Sequence, residues 1–410
     1  MRIAIIGAGF TGLTAALQLA KKGHQITVFE SSSNPGGLAG SFKLKDWNWS
    51  LEKAYHHFFT NDKSALNLAK EVNQKIIIRT PKTDVYVQDD LLPFDSPLAL
   101  LKFPYLPFID KLRVGLVIFY LRNLSNLSDL KSQTALPWLK KYMGEKATNL
   151  IWEPLFKGKF GEYQNTISLT WFWARIKKRT ASLAYPEGGF GSFADKIKSE
   201  AEKNGAKFIF NSEVSDIIKL DFDKILVTIP TSIFTKIAKL PANYIKRLNS
   251  IKHLSALVLV LVFKKPFFKG KTYWLNITDK NFPFLVMAEH TNFMDKKNYG
   301  NQHILYIGNY LPENHPYLKM SAKELLKIFE PYLKKINPSY QLSAISHKLF
   351  SLPNAQPIVA TKYPQQILTF QTPLKNIYLA NMDMVYPWDR GVNYAVEMGE
   401  KAAEIIEKNK

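Results

Sequence analysis

The chain has 410 residues, 46% of them hydrophobic and 13% aromatic, with no cysteine and a formal charge of +21. That composition supports packed cores in two domains and excludes general disorder, a disulfide framework and a thiolate metal site. The longest apolar runs, Leu254–Phe263 and Val114–Leu121, are too short to span a bilayer, and the first residues enter a strand with no room for a signal peptide, so a cytoplasmic protein is expected. The first predicted strand, Ile3–Ile6, is continuously apolar, as a central parallel strand requires. Gly7 then allows a tight turn, Gly9 lets the backbone approach a pyrophosphate, and Gly12 lets the next helix pack on the strand. That helix is expected from Thr11 to Lys22, with Leu13, Ala16, Leu17 and Ala20 on one face and Gly23 closing it. A second strand, Gln25–Phe29, ends at Glu30, whose carboxylate can accept both hydroxyls of a ribose. Strand, glycine turn, helix and acid in this order predict a dinucleotide site, with the phosphate at the helix N-terminus.

A second glycine turn, Pro35-Gly36-Gly37-Leu38-Ala39-Gly40, extends the nest of backbone N–H groups in a way that NAD alone does not need. Next come a strand pair (Ile76–Arg79 with Val85–Gln88) and several helices, among them Ile109–Leu121, apolar on most faces. A glycine loop at Tyr185–Gly191 precedes a helix over Ser192–Asn204. Strands are predicted at Lys207–Phe210, Val214–Ile218 and Lys224–Ile229, the last stopped by Pro230. Ala256–Phe263 and Gln302–Gly308 read as further strands and Ser321–Lys334 as a helix. Two C-terminal segments, Asn376–Asp383 and Gly391–Ala403, follow.

These two ends carry a resemblance. Gly7-Ala-Gly9-Phe10-Thr11-Gly12 with Glu30 and Gly36-Gly37, followed some 340 residues later by the Asn376–Asp383 and Gly391–Ala403 segments, resembles the FAD-dependent amine oxidase, protoporphyrinogen oxidase and phytoene desaturase superfamily. The resemblance implies an α/β protein. In it a Rossmann-like FAD-binding domain (GR2-type; residues 1–75, 186–235 and 371–410) is interleaved with an α+β substrate domain (residues 76–185 and 236–370). It implies FAD as cofactor, held by Gly7, Gly9, Phe10, Thr11, Gly12, Glu30, Gly36, Gly37 and Leu38. Val214 would lie against the adenine, and Val392 and Asn393 would start the helix aimed at the flavin. Two positions depart from the family pattern. Asn34 stands where an Arg is common, and the C-terminal strand ends Asn381-Met382-Asp383 rather than in Gly and an acid, which moves the acidic role to Asp383 by one residue.

The catalytic candidates are His56 and His57, which follow the Gly-Gly turn in Glu52-Lys-Ala-Tyr55-His56-His57; they lack a third ligand at metal-binding spacing, so no metal is expected. A structural histidine pair is the competing reading. Trp152–Gly161, Asn354–Pro357 and Tyr386–Gly391, the last with Arg390, are further candidates for lining a substrate cavity. Charge is concentrated in Lys102–Arg179 and Lys236–Trp274, which together hold +18 of the +21. Such a face can attract an anionic membrane surface in peripheral contact. The predominance of lysine, 47 of 55 basic residues, equally describes a solvated surface, and no nucleic-acid motif accompanies it. Two functions follow from the resemblance. One is a flavin oxidoreductase taking hydride from a small-molecule amine, porphyrinogen or polyene. The alternative is a UDP-galactopyranose mutase-like isomerase acting on a nucleotide sugar without net oxidation.

Overall fold

The computed structural model describes residues 1–340 and 344–409. Its first sheet is built on Arg2–Ile6, flanked by Gln25–Phe29 and Lys224–Val227, with Lys207–Ile209 and Ile377–Leu379 at the two edges; all pairings are parallel. Ile3, Ala4, Ile5 and Ile6 are all buried, which is why this strand needs apolar residues on both faces. The helix Phe10–Ala20 buries ten of its eleven residues. It is sandwiched between the helices Gly189–Lys203 and Val392–Lys408. The approach is very close: a Cβ on Gly399 would lie 2.5 Å from the Thr11 carbonyl oxygen.

Two sequence expectations need correction here. Val214–Ile218 is not a strand. After Ile209 the chain runs as a loop beside the end of the second strand, where the Ser212 N–H donates to the Glu30 carbonyl (2.9 Å) and the Asn211 N–H to the Ser32 carbonyl (3.1 Å). A short turn, Ile217–Lys219, follows, capped by the Asp216 carboxylate on the Ile218 N–H. The Asp216 side chain, competing for the backbone, helps explain why the apolar pattern fails there. The strands Ile76–Arg79 and Lys82–Val87 do not pair with each other. The first joins Leu183–Pro186, which also pairs with Phe58–Phe59, while the second enters the large sheet parallel to Thr272–Ile277. The two-residue link contains Pro81 and lacks the residues of a hairpin turn.

The large sheet has seven strands in the order Ser346–Pro357, His253–Phe263, His303–Leu311, Val286–Glu289, Thr272–Ile277, Lys82–Val87, Asp90–Pro93. His253–Phe263 buries both faces. Leu257, Leu259 and Leu261 pack with Leu325, Phe329 and Leu333 of the helix Ala322–Ile336. Val258, Val260 and Val262 face the opposite way, toward Tyr273 and Tyr306. The helix begins with a capping box between Ser321 and Glu324.

Glu52 joins the large sheet to the strand Leu183–Pro186 and the helix Gly189–Lys203. It is fully buried, accepts from the Tyr185 hydroxyl (2.8 Å) and the Phe190 N–H (2.7 Å), and its own carbonyl accepts from the Tyr306 hydroxyl (2.7 Å). The glycine loop is shaped around it: a Cβ on Gly189 would meet the Ser50 carbonyl oxygen at 2.6 Å and Glu52 Oε1 at 3.1 Å. Burial raises the Glu52 carboxyl to about 7, although its hydrogen bonds pull the other way. The folded protein therefore binds more protons at this site than the unfolded chain between the ordinary glutamate range and neutrality, and stability from this group is lost as pH rises through that window. Relative to wild type, Glu52→Gln is expected to gain stability, on the order of 3 kcal/mol, between about pH 5 and about pH 8. Thermal melts of both proteins across that range check it; parallel curves would show that Glu52 ionises normally.

Candidate functional site

The site has two ends. At the first, Gly7 (φ +104) donates its N–H to the Phe29 carbonyl (2.8 Å), so the turn folds back on the second strand. Glu30 accepts from the Ala8 N–H (2.7 Å) through one oxygen and from the Ser32 N–H (2.8 Å) through the other, which fixes its carboxylate at the strand end with lone pairs left over. Gly36 (φ +118) donates to the Ala8 carbonyl (2.9 Å), and the backbones of Gly9 and Gly36 form a bridge. The two glycine turns are thus one cradle.

The glycines in it have different reasons. A Cβ on Gly12 would sit 2.0 Å from the Gly7 carbonyl oxygen, and one on Gly7 would strike Thr228 at 2.8 Å. At Gly9 the backbone is ordinary (φ −70) and a Cβ would meet nothing nearer than Gly37 Cα at 3.9 Å. The protein itself does not require glycine there. A phosphate lying against the N-terminus of the Phe10–Ala20 helix does, so the cradle fits a dinucleotide.

Other expected cofactor residues sit around this cradle in varied roles. Phe10 packs its ring on Phe190 and Phe193 and offers only backbone outward, and Thr11 is buried. Leu38, Val214 and Val392 are half-buried. Asn393 uses its side-chain oxygen to accept from the Ala65 N–H (3.1 Å), capping the helix Lys63–Glu71. Asp383 is buried and uses both oxygens on protein: one accepts from the Thr231 hydroxyl (2.7 Å), the other lies 2.5 Å from His253 Nε2. It ties the end of the Ile377–Leu379 strand to two neighbouring elements.

At the second end, all four candidate segments converge. Arg390 donates through Nε to Gln356 (3.0 Å), and its guanidinium also bonds the Tyr310 hydroxyl and lies over that ring. Lys159 Nζ is 4.9 Å from the centre of the same ring and 5.5 Å from that of Trp171. Asp389 accepts from Trp171 Nε1 (2.9 Å) and Arg175 (3.2 Å). Tyr55 places the hydroxyl end of its ring against Gly308, where a Cβ would be 2.6 Å away. His57 contacts the Tyr273 hydroxyl (3.2 Å) and the Trp274 ring, and His56 Nδ1 donates to the Ala54 carbonyl (2.7 Å).

Electrostatics here are lopsided. Burial lowers Lys159 to about 8, and Asp389, which burial alone would raise, is held below the carboxylate range by Lys159, Arg175 and Arg390. Burial would raise Tyr310 too, but Arg390 and Lys159 outweigh it and bring the phenol down. His56 and His57 are lowered by burial to about 4 and about 3, so both are neutral near pH 7. They are poor proton acceptors at that pH, so acid–base work by these two catalytic candidates is disfavoured.

The chain matches the family described as flavin containing amine oxidoreductase over residues 10–406. It belongs to that family. As a flavin-containing amine oxidoreductase family member, its cofactor is FAD. It is similar in sequence to the zeta-carotene desaturase of Capsicum annuum, 28% identical over 179 residues, or 38% of this chain and 30% of that protein. Its fold is similar to that of an Exiguobacterium sp. 255-15 protein assigned as a protoporphyrinogen oxidase, with a TM-score of 0.79 at 15% identity, covering 100% of this chain and 99% of that one. It is also similar to a reduced UDP-galactopyranose mutase, with a TM-score of 0.77 at 17% identity, covering 100% of this chain and 96% of that one. Matches to the first curated relatives are confined to 10–30% of their length.

Sequence reasoning missed Tyr310, Arg175, Trp171 and Trp274. Tyr310 had a usable signal: Tyr306, Gly308 and Tyr310 alternate on one face of a strand, with the glycine making room for another ring. Gly9 and Gly12 allow fold and cofactor binding to be separated experimentally. Gly9→Ala is expected to leave the melting temperature of cofactor-free protein within a few degrees of wild type while weakening FAD binding at least tenfold, measured by flavin fluorescence titration. Gly12→Ala, by contrast, should fail to fold. Loss of folding in both, or retained FAD affinity in Gly9→Ala, would refute the assignment.

Proposed function

We propose that this chain is an FAD-dependent oxidoreductase whose substrate carries an anionic group, of the porphyrinogen rather than the amine or plain polyene type. The observation that carries this reading is the excess of positive charge at the second end: Arg390, Lys159 and Arg175 face a single carboxylate, Asp389. At an effective dielectric of about 20, each like charge about 4 Å away opposes a protonated amine by roughly 4 kcal/mol, and attracts a carboxylate by as much. A neutral polyene would leave the excess uncompensated.

In this proposal Gly7, Gly9, Gly12, Gly36 and Gly37 hold the pyrophosphate, Glu30 the ribose, and the backbone from Val214 the adenine. The first-turn N–H groups at Val392 and Asn393 face the flavin, favouring negative charge there. Bound FAD supplies the hydride acceptor. Arg390, fixed by Gln356 and Tyr310, orients the substrate anion. Tyr310 Oη, lowered by its two cations, exchanges the substrate proton. Neutral His56 and His57 line the chamber and position ligand by hydrogen bonds.

The same cation set suits a diphosphate, which keeps the mutase-like reading as the second one. Anaerobic mixing of FAD-loaded protein with a carboxylated porphyrinogen, a diamine, a carotenoid precursor and UDP-galactopyranose separates the two. The porphyrinogen is expected to bleach the flavin, and Arg390→Met to cut the second-order rate of bleaching at least tenfold with FAD content unchanged. Bleaching by the diamine instead would sink the proposal. A response confined to UDP-galactopyranose on reduced protein would replace it with the mutase reading.

A further inference from the structure

Helices at a protein surface normally turn a polar face outward. Phe108–Asn123 does not. Its inner face packs Val114, Val117 and Leu121 into the core, as expected. Its outer arc carries Phe108 (67% exposed), Leu112 (41%), Leu116 (68%) and Phe119 (69%), with Ile109 and Tyr120 alongside. The preceding helix, Pro97–Lys102, buries no residue and exposes Leu98 and Leu101. Among the described residues, eight of the fourteen exposed large hydrophobic side chains lie between Leu98 and Tyr120, so this is one patch and not scattered surface.

We infer that the helices Pro97–Lys102 and Phe108–Asn123 form a docking face for an anionic lipid bilayer, with the longer helix lying in the membrane plane. Charge selects this occupant. Lys102, Arg113 and Arg122 are exposed around the apolar arc, and the only acid in residues 97–123, Asp110, is buried on the inner side, 3.6 Å from Arg113. Exposed Lys146 borders a cavity of about 640 Å³ at the junction of the helices, lined also by Tyr105, Leu106, Pro107 and Leu150. Apolar residues ringed by cations match the boundary between acyl chains and anionic headgroups. A second copy of the chain fits less well, because face-to-face contact of the two helices would bring Lys102, Arg113 and Arg122 together with no exposed acid in residues 97–123 to offset them. No helix among the described residues is long and apolar enough to cross a membrane, so the contact is peripheral.

The test is vesicle co-sedimentation of the full chain with FAD bound. Wild type is expected to partition onto phosphatidylglycerol/phosphatidylcholine vesicles at least tenfold more strongly than onto phosphatidylcholine alone, and less as salt rises. Leu116→Ser with Phe119→Ser should lower partitioning at least tenfold, and Lys102→Glu with Lys146→Glu should remove the preference for anionic lipid. All substituted side chains are exposed, so FAD content and melting temperature report whether the variants fold as wild type does. Equal binding to both vesicle types overturns the inference. So does a wild type that ignores vesicles but forms a dimer in solution that the double-serine variant abolishes, which would make the patch an interface between copies.

Discussion

Backbone touching backbone around residues 7–14 is the constraint on which this molecule depends. Gly12 rests on the Gly7 carbonyl, Gly37 on Gly9 Cα, and Gly399 on the Thr11 carbonyl and Thr14. Each contact joins a different stretch of chain to the first turn, and each is too close for a Cβ. A methyl added to a packed interior of this kind costs about 1–3 kcal/mol in forced displacement, more where backbone must move. The first strand, the second glycine turn and the C-terminal helix are thereby fixed to one another with little side-chain slack. The rigidity serves the cofactor: phosphate recognition by backbone N–H groups works only if their directions are set before the ligand arrives.

The other end of the site follows the opposite logic. Side chains define it: long ones from at least six separate segments, carrying Tyr55, Lys159, Arg175, Tyr310, Gln356 and Arg390, meet beside the large sheet. Several of these cations are poorly solvated, which is costly unless aromatic faces and hydrogen-bond partners share the charge. Tyr310 does both: Lys159 and Arg390 each lie over its ring, and its hydroxyl accepts from Arg390. A β-bulge supports the arrangement. Between Leu254 and Ala256 the pairing with the last strand slips, Asn354 adopts φ +54, and Gln356 is buried where it can accept from Arg390. Asn354, one of the residues singled out from sequence, therefore acts through its backbone conformation.

This contrast explains what the sequence disclosed. Gly7, Gly9, Gly12, Glu30, Gly36 and Gly37 were legible because close backbone approach (Gly7, Gly12, Gly36, Gly37) or the approach of a dinucleotide (Gly9, Glu30) calls for them at fixed local spacings. Strands such as His253–Phe263 were legible because burial on both faces leaves an unbroken apolar run. The separation of Ile76–Arg79 from Lys82–Val87 was hidden, since pairing partners more than a hundred residues away, at Leu183 and at Thr272, decide it. The chamber was half legible. Tyr55, Lys159, Gln356 and Arg390 all lay in segments that looked unusual, yet nothing local said that they meet. Asp383 and Asn393 show the converse limit: their motif positions say nothing of the partners their side chains bond, Thr231, His253 and the Ala65 N–H.

The apolar outer helix and the cationic chamber share a support. Phe108–Asn123 packs its inner face on the helix Leu169–Lys178, and that second helix carries Trp171 and Arg175, the two residues that hold Asp389. Asp389 is the neighbour of Arg390 in the chain and, among the described residues, the carboxylate that tempers the charge of Lys159, Arg175 and Arg390. A load on the outer face thus bears on the element that positions the chamber's counter-ion, through packed side chains with no intervening loop. The Arg122 guanidinium reinforces the joint by donating to the Arg179 carbonyl, and Lys177 donates back to the Arg122 carbonyl. Apolar surface on a helix that must also stay rigid is costly in water, and its retention next to this joint is what a surface covered by another phase in use would require.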